Sequence, residues 1–166
     1  MPTVHHRDAE PRDVPLILRM IRELAEYEAL LHAVEADEAA LHRTLFAPEP
    51  KVFAMIVECD GEPAGFALYY YTYSTFQGKH GIYIEDLYIR PAWRNQGLGK
   101  GVFRCLADKA CREDFGRIEW SVLDWNSDAI AFYERQGAVA MNEWIRMRLE
   151  GEAITALAAP TSDGAV

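Results

Sequence analysis

The sequence has no apolar run approaching the ~20 residues that cross a bilayer. Its opening residues, Met1 to Asp8, contain no apolar signal core. Both absences exclude a membrane-spanning reading and predict a cytoplasmic protein without a membrane partner. Cysteine is scarce: Cys59, Cys105 and Cys111 are an odd number without paired short spacing, which excludes a disulfide framework and a zinc site and predicts reduced thiols. Basic excess is missing too. Lys and Arg number 17 against 26 Asp and Glu, a formal net charge of −9, so the composition argues against a nucleic-acid surface and is compatible with a small cationic partner. His5 and His6 form a pair without a second ligand cluster, so no metal is expected. Two phosphate-loop patterns are absent as well. Gly101 follows Lys100 where a mononucleotide loop needs Ser or Thr, and Val102 sits three after Gly99 where the dinucleotide fingerprint needs Gly.

What is present fits one domain of 166 residues, long enough to bury roughly two thirds of its unfolded surface. A short strand over residues 4–7 leads through Pro11 and Pro15 into a helix whose stripe is Val14, Ile17, Leu18, Ile21, Leu24 and Ala25. Asp13 is its expected cap, and its expected end lies near Leu30. Asp37 and Glu38 open a second short helix carrying Leu41 and Leu45. Residues 52–58 and 64–73 are β-rich and flank Asp60-Gly61, a hairpin signal. Residues 74–80 read as a polar loop, 81–89 as a third strand of this run, 117–123 as a fourth and 139–149 as a last one. A helix over 127–136 is closed by Gly137, and residues 153–166 read as a frayed tail.

Residues 94–99, Arg-Asn-Gln-Gly-Leu-Gly, stand between the strand-like run 81–89 and a helical stripe of Val102, Phe103, Leu106, Ala107 and Ala110. Gly97 and Gly99 let the main chain turn tightly and bring N–H groups against phosphate oxygens, with the positive end of the following helix aimed at them. Two glycines also suit a bare turn; the strand before and the helix after favour the cradle. Residues 82–89, Ile-Tyr-Ile-Glu-Asp-Leu-Tyr-Ile, are apolar on both alternating faces apart from Glu85 and Asp86. Carboxylates inside such a strand are paired, solvent-facing or functional, because an unpaired buried charge is costly. A β-bulge would reverse which of the two points inward.

Arg94-x-x-Gly97-x-Gly99 after a strand, Asn126 after a later strand, and Phe132-Tyr133-x-x-x-Gly137 on the following helix together resemble the GNAT superfamily of acyl-CoA-dependent N-acyltransferases, over about residues 4 to 149. Four further segments are Glu23-Leu24-Ala25-x-Tyr27-Glu28, Gly65-Phe66-Ala67-x-Tyr69-Tyr70, Tyr83-x-Glu85-Asp86-Leu87 and Trp125-Asn126. These look like the spermidine/spermine (diamine) acetyltransferase family, whose broader relatives act on thialysine-type amino acids. The resemblance implies a mixed α/β fold of the GNAT type, a central, mostly antiparallel twisted sheet flanked by helices. It implies a single domain over residues 1–150, with 151–166 a flexible tail, and a homodimer.

The resemblance also implies acetyl-CoA as co-substrate and no metal. Backbone amides of Arg94, Asn95, Gln96, Gly97, Leu98, Gly99 and Lys100 are expected to hold the coenzyme, together with main-chain groups of Leu87 and Ile89 and with Asn126 and Tyr133. Glu85 is the expected base, acting directly or through one water, since an amine nucleophile is protonated near neutral pH. Tyr133 is the expected acid, a phenol with pKa ~10 that carries its proton at neutral pH; it also reads as a core aromatic beside Phe132. Tyr27, Glu28, Glu85, Asp86 and Trp144 are the expected substrate contacts, an acidic and aromatic cleft for an alkylammonium chain. Packing explains Tyr27 and Trp144 equally well.

The expected reaction is acetyl transfer to a primary amine of a small cation, a polyamine or diamine, by direct attack in a ternary complex. Residues 29–33, Ala-Leu-Leu-His-Ala, are less acidic than the polyamine enzymes lead one to expect, and the connection over 59–63 is shorter. An amino-acid acetyltransferase of the thialysine or lysine type is therefore the rival, and its substrate's carboxylate would want a basic partner in the cleft. Acetylation of a protein amine and a non-catalytic acyl-CoA-binding module complete the alternatives. The presence of both Glu85 and Tyr133 argues against the last.

Overall fold

The computed structural model describes residues 2–159. The chain divides into two compact units, Met1–Asn126 and Ser127–Val166, each described by itself. In the first unit β1 (Val4–Asp8), β2 (Val52–Cys59), β3 (Glu62–Ser74), β4 (Lys79–Ile89) and β5 (Ile118–Trp120) form one sheet in that order. The first three pairings are antiparallel and β4–β5 is parallel. Asp60 and Gly61 carry φ of 52° and 82° between β2 and β3. Two successive positive values make the hairpin turn whose twist matches the strands it joins, which is why Asp-Gly signals it. The next hairpin is tighter than its polar composition suggests. Ser74 pairs with Lys79, so only residues 75–78 remain of the loop expected over 74–80.

The sheet is covered on both faces. Helices α1 (Val14–Tyr27) and α2 (Glu38–Leu45) pack Ile17, Met20, Leu41 and Leu45 with Ile56, Phe66, Leu68 and Tyr88. Helix α3 (Leu98–Arg112) packs Leu98, Val102 and Leu106 with Val57, Ala67, Ile82 and Ile84 on the other face. Alternate residues of β2 thus enter opposite cores, so the strand reads as a continuous apolar run.

Asp37 caps α2 as expected, accepting from the Ala40 N–H at 2.7 Å. Asp13 does not cap α1 with its side chain. Its buried carboxylate accepts instead from Arg7 Nη1 at 2.7 Å and Nη2 at 3.0 Å, and from the Glu10 N–H at 2.7 Å. A charge-assisted fork outcompetes a neutral cap, and it ties β1 to the start of α1. The first helix ends at Tyr27 rather than near Leu30, because Ala29 takes φ 58°, a left-handed conformation that closes a helix.

The second unit holds α4 (Ser127–Arg135), with Gly137 at φ 91° beyond it, and α5 (Glu152–Ala158). Two strand expectations are corrected. β5 covers three residues instead of 117–123, because β4 pairs with it only over Ile82, Tyr83 and Ile84. Within the second unit residues 139–149 are not strand, and the backbone turns where the Trp144 N–H donates to Met141 O at 3.2 Å. Part of the expected tail is helical in α5, an Ala- and Leu-containing stretch of good helix formers; residues 160–166 lie outside the described ones.

Candidate active site

The parallel β4–β5 pairing stops at Ile84 with Trp120. Beyond it β4 continues to Ile89, paired with β3 alone among the described strands. The far edge of Leu87 and Ile89 therefore presents main-chain donors and acceptors to an extended ligand, as an added strand would use them.

A bulge decides the direction of the acidic pair. Leu68 stands opposite Asp86 and Tyr69 opposite Ile84, which leaves Glu85 without a partner residue. An extra residue reverses the alternation past it. Ile82 and Ile84 enter the α3 core, whereas Tyr88, an even number of residues on, enters the α1/α2 core with Leu68. Asp86 shares that second face, on which α1 ends with Tyr27 and Glu28. Glu85 is exposed and Asp86 is half-buried. Burial, then the neighbouring charges of Glu85 and Glu28, push the Asp86 carboxyl up to about 6. Burial likewise raises Glu28. Three carboxyl groups thus share a region that disfavours their simultaneous ionisation and attracts a cation.

Aromatic rings complete this wall. Tyr27 lies 6.1 Å from Trp125, ring centre to ring centre. The Arg94 guanidinium sits 4.9 Å from the Tyr27 centroid and 5.8 Å from that of Tyr88, and its Nε donates to Ile89 O at 2.9 Å. Among the described residues its terminal nitrogens meet no carboxylate. The strand beneath is fixed by Arg90, whose Nε and Nη2 clasp Glu23 of α1 at 2.9 and 2.8 Å while Nη1 donates to Pro63 O at 2.9 Å.

After β4 the chain passes a short 3-10 turn, Pro91–Trp93, and enters the loop before α3. Asn95 and Gly97 take φ of 62° and 82°. A Cβ built on Gly97 would touch nothing within 4 Å, so its φ, not crowding, requires glycine there. The opening N–H groups of a helix have no partner within it, and those of Leu98, Gly99 and Lys100 donate to no described acceptor. Left-handed turns, orphan amides and the positive end of a helix of fifteen residues fit a pyrophosphate.

The first unit therefore brings together Tyr27, Glu28, Glu85, Asp86, Leu87, Ile89 and residues 94–100, all expected from sequence. Asn126 ends the same unit, its N–H donating to Leu123 O at 2.9 Å. Tyr133 and Trp144 belong to the second unit. Tyr133 lies on α4 with its ring 5.4 Å from Phe132, and Trp144 is exposed in the segment that forms no strand. Sequence reasoning assigned Arg94 through its backbone only and left out Tyr88 and Trp125.

Comparison with known proteins gives the family. Residues 17–138 match the model of the Acetyltransferase (GNAT) family. The chain is 39% identical to thialysine N-epsilon-acetyltransferase of Sus scrofa over 95% of its own length and 99% of that protein. It is 32% identical to spermidine/spermine N(1)-acetyltransferase-like protein 1 of Homo sapiens, over 92% of this chain and 23% of that one. In fold it is similar to an integron cassette protein from V. cholerae, with a TM-score of 0.78 at 23% identity, covering 95% and 98% of the two chains. With a matching family model over most of the chain and a close relative along nearly its full length, the chain belongs to the GNAT acetyltransferase family and is an acyl-CoA-dependent N-acetyltransferase.

Proposed function

We propose that the enzyme acetylates the side-chain amine of a small cationic amino acid of the thialysine or lysine type. The observation that carries this reading is the Arg94 guanidinium, stacked on Tyr27 beside the acidic group of Glu28, Glu85 and Asp86. An amino acid of this type has one carboxylate for a basic partner and an alkylammonium arm for the acidic, aromatic wall. The 39% identity to a thialysine enzyme supports the same substrate class. A polyamine is the second reading, favoured by the carboxyl groups alone; it would leave Arg94 facing a substrate of its own charge.

Acetyl-CoA, when bound, supplies an acetyl thioester for direct attack by the amine. The amides of residues 95–100 hold its pyrophosphate, and the open edge at Leu87 and Ile89 aligns its arm. Asp86, and not the bulged and exposed Glu85, takes the proton from the substrate ammonium, directly or through a water. A carboxyl near 6 is ionised at neutral pH and is a stronger base than an ordinary one. Glu85 stands beside it and helps to raise it. Tyr133 holds a proton on its phenol oxygen for the leaving sulfur. The homodimer implied by the family resemblance belongs to the same proposal.

Paired substrates test the reading: L-lysine and thialysine, each beside the diamine that lacks the carboxylate, with the parent enzyme and Arg94→Gln. The parent should favour each amino acid over its diamine by roughly tenfold or more, as a charge-assisted pair warrants, and Arg94→Gln should abolish that preference. Equal or better turnover of the diamines by the parent sinks the amino-acid reading.

A further inference from the structure

A cavity of about 630 Å³ lies between the α3 side of the sheet and the C-terminal half of α3. Lys109 on its wall is ten residues past Gly99, about 15 Å along the helix from the pyrophosphate cradle. Its floor is aromatic. Phe53 stacks on Tyr71 at 4.9 Å and on Tyr69 at 5.6 Å, with interplanar angles of 29° and 30°, and Phe46 adds a wall.

The charges around this floor are not all neutralised. Arg7 is committed to Asp13 and Glu58, and Arg112 to Asp108. Asp8 and Lys109 form no ion pair with a described residue, although Lys109 Nζ lies 5.6 Å from the Tyr71 centroid. The third polar group is the Tyr69 hydroxyl. Its residue is only 4% exposed, yet the hydroxyl makes no hydrogen bond to a described residue, and it borders the cavity. Burial pushes this phenol up to about 12, with a smaller contribution from the charge of Asp8, so it keeps its proton and is available as a donor. The Tyr69 hydroxyl is not sealed in the core but opens on the cavity, where it can donate to an acceptor.

We infer that this cavity is a second small-molecule site, separate from the acetyl-transfer site, that takes a zwitterionic α-amino acid with an aromatic side chain. Lys109 and the Tyr69 hydroxyl supply two donors for the carboxylate, and Asp8 supplies the acceptor for the α-ammonium. The ring rests on Phe53 and Tyr71, which favour stacked or edge-on aromatic partners. The volume lies within the range of ordinary ligand pockets.

Calorimetric titration of the full chain with L-phenylalanine tests this, beside phenethylamine, which lacks the carboxylate, and 3-phenylpropionate, which lacks the ammonium. L-phenylalanine should bind saturably at one site per chain, and either truncated ligand should bind roughly tenfold more weakly or worse. Lys109→Gln and Asp8→Asn should each weaken binding by about the same factor, and Tyr69→Phe by roughly fivefold. All three variants should keep the parent's rate of acetyl transfer. Saturating acetyl-CoA should not displace the amino acid. Absence of saturable binding into the millimolar range, equal binding of phenethylamine, or displacement by acetyl-CoA would overturn the proposal. Because the ligand series uses the parent protein, a variant that fails to fold does not remove the test.

Discussion

Asp86 shows how far single residues could be read from the chain. Its neighbourhood was legible, since an acidic pair within an apolar strand asks for a function. Which member faces inward was not, because the bulge opposite Leu68 and Tyr69 is a property of strand pairing and leaves no mark on the alternation of residues 82–89. Asp86→Asn should lower kcat by about 10²- to 10⁴-fold, the range for removing a general base, while Glu85→Gln should cost far less. Steady-state kinetics with saturating acetyl-CoA separates the two, and a larger loss for Glu85→Gln would return the role to that residue. The pH profile carries the same claim. With a base at about 6, kcat/KM should fall as pH drops through that value. Glu28→Gln removes one of the like charges that raise Asp86, so the acid limb should move to lower pH. A limb that stays in place would mean that the titrating group lies elsewhere. Tyr133→Phe should lower kcat and leave the KM for acetyl-CoA nearly unchanged, since only the proton is removed.

Elements with local signals were the legible ones. The Asp60-Gly61 hairpin, the Asp37 cap and the glycine-opened α3 follow from three or four residues each. The misread ones depended on distant partners. Asp13 was diverted from its cap by Arg7 across the chain reversal. Residues 74, 79 and 80 became strand because Ser74 and Lys79 face each other. At the cradle, Gly97→Ala forces a side chain into φ 82°, which costs about 1–2 kcal/mol. It should lower the midpoint of thermal unfolding and raise the KM for acetyl-CoA. In the sheet, a Cβ at Gly65 would press on the Tyr88 carbonyl and the Ile89 side chain. Gly65→Ala should cost about 1–3 kcal/mol by overpacking, read by urea denaturation, and should disturb the strand that carries Asp86.

For the molecule as a whole, the linked titrations of Asp13 and Asp86 oppose each other. Arg7 holds the Asp13 carboxyl below its ordinary value, so the folded state gains stability above pH ~4 and loses it as pH falls through the folded value. Asp86 is raised, so between pH ~4 and about 6 the folded state holds a proton that the unfolded chain has released, and stability falls as pH rises. Chemical denaturation should show Asp86→Asn removing the descending component between pH ~4 and about 6, and Asp13→Asn removing the gain with rising pH below pH ~4. The fold and acyl-transfer chemistry were legible in the sequence because they lie in contiguous segments, residues 82–100 above all. The proposed substrate class was less so, because it rests on where the Arg94 side chain lies over Tyr27.

The most direct test of the central claim is to measure kcat/KM for thialysine and for spermidine at fixed acetyl-CoA, with the acetylated nitrogen of each product identified by NMR. The account predicts a higher specificity constant for thialysine and acetylation of its side-chain nitrogen alone. A higher constant for spermidine, or acetylation of the α-amine of thialysine, would contradict it.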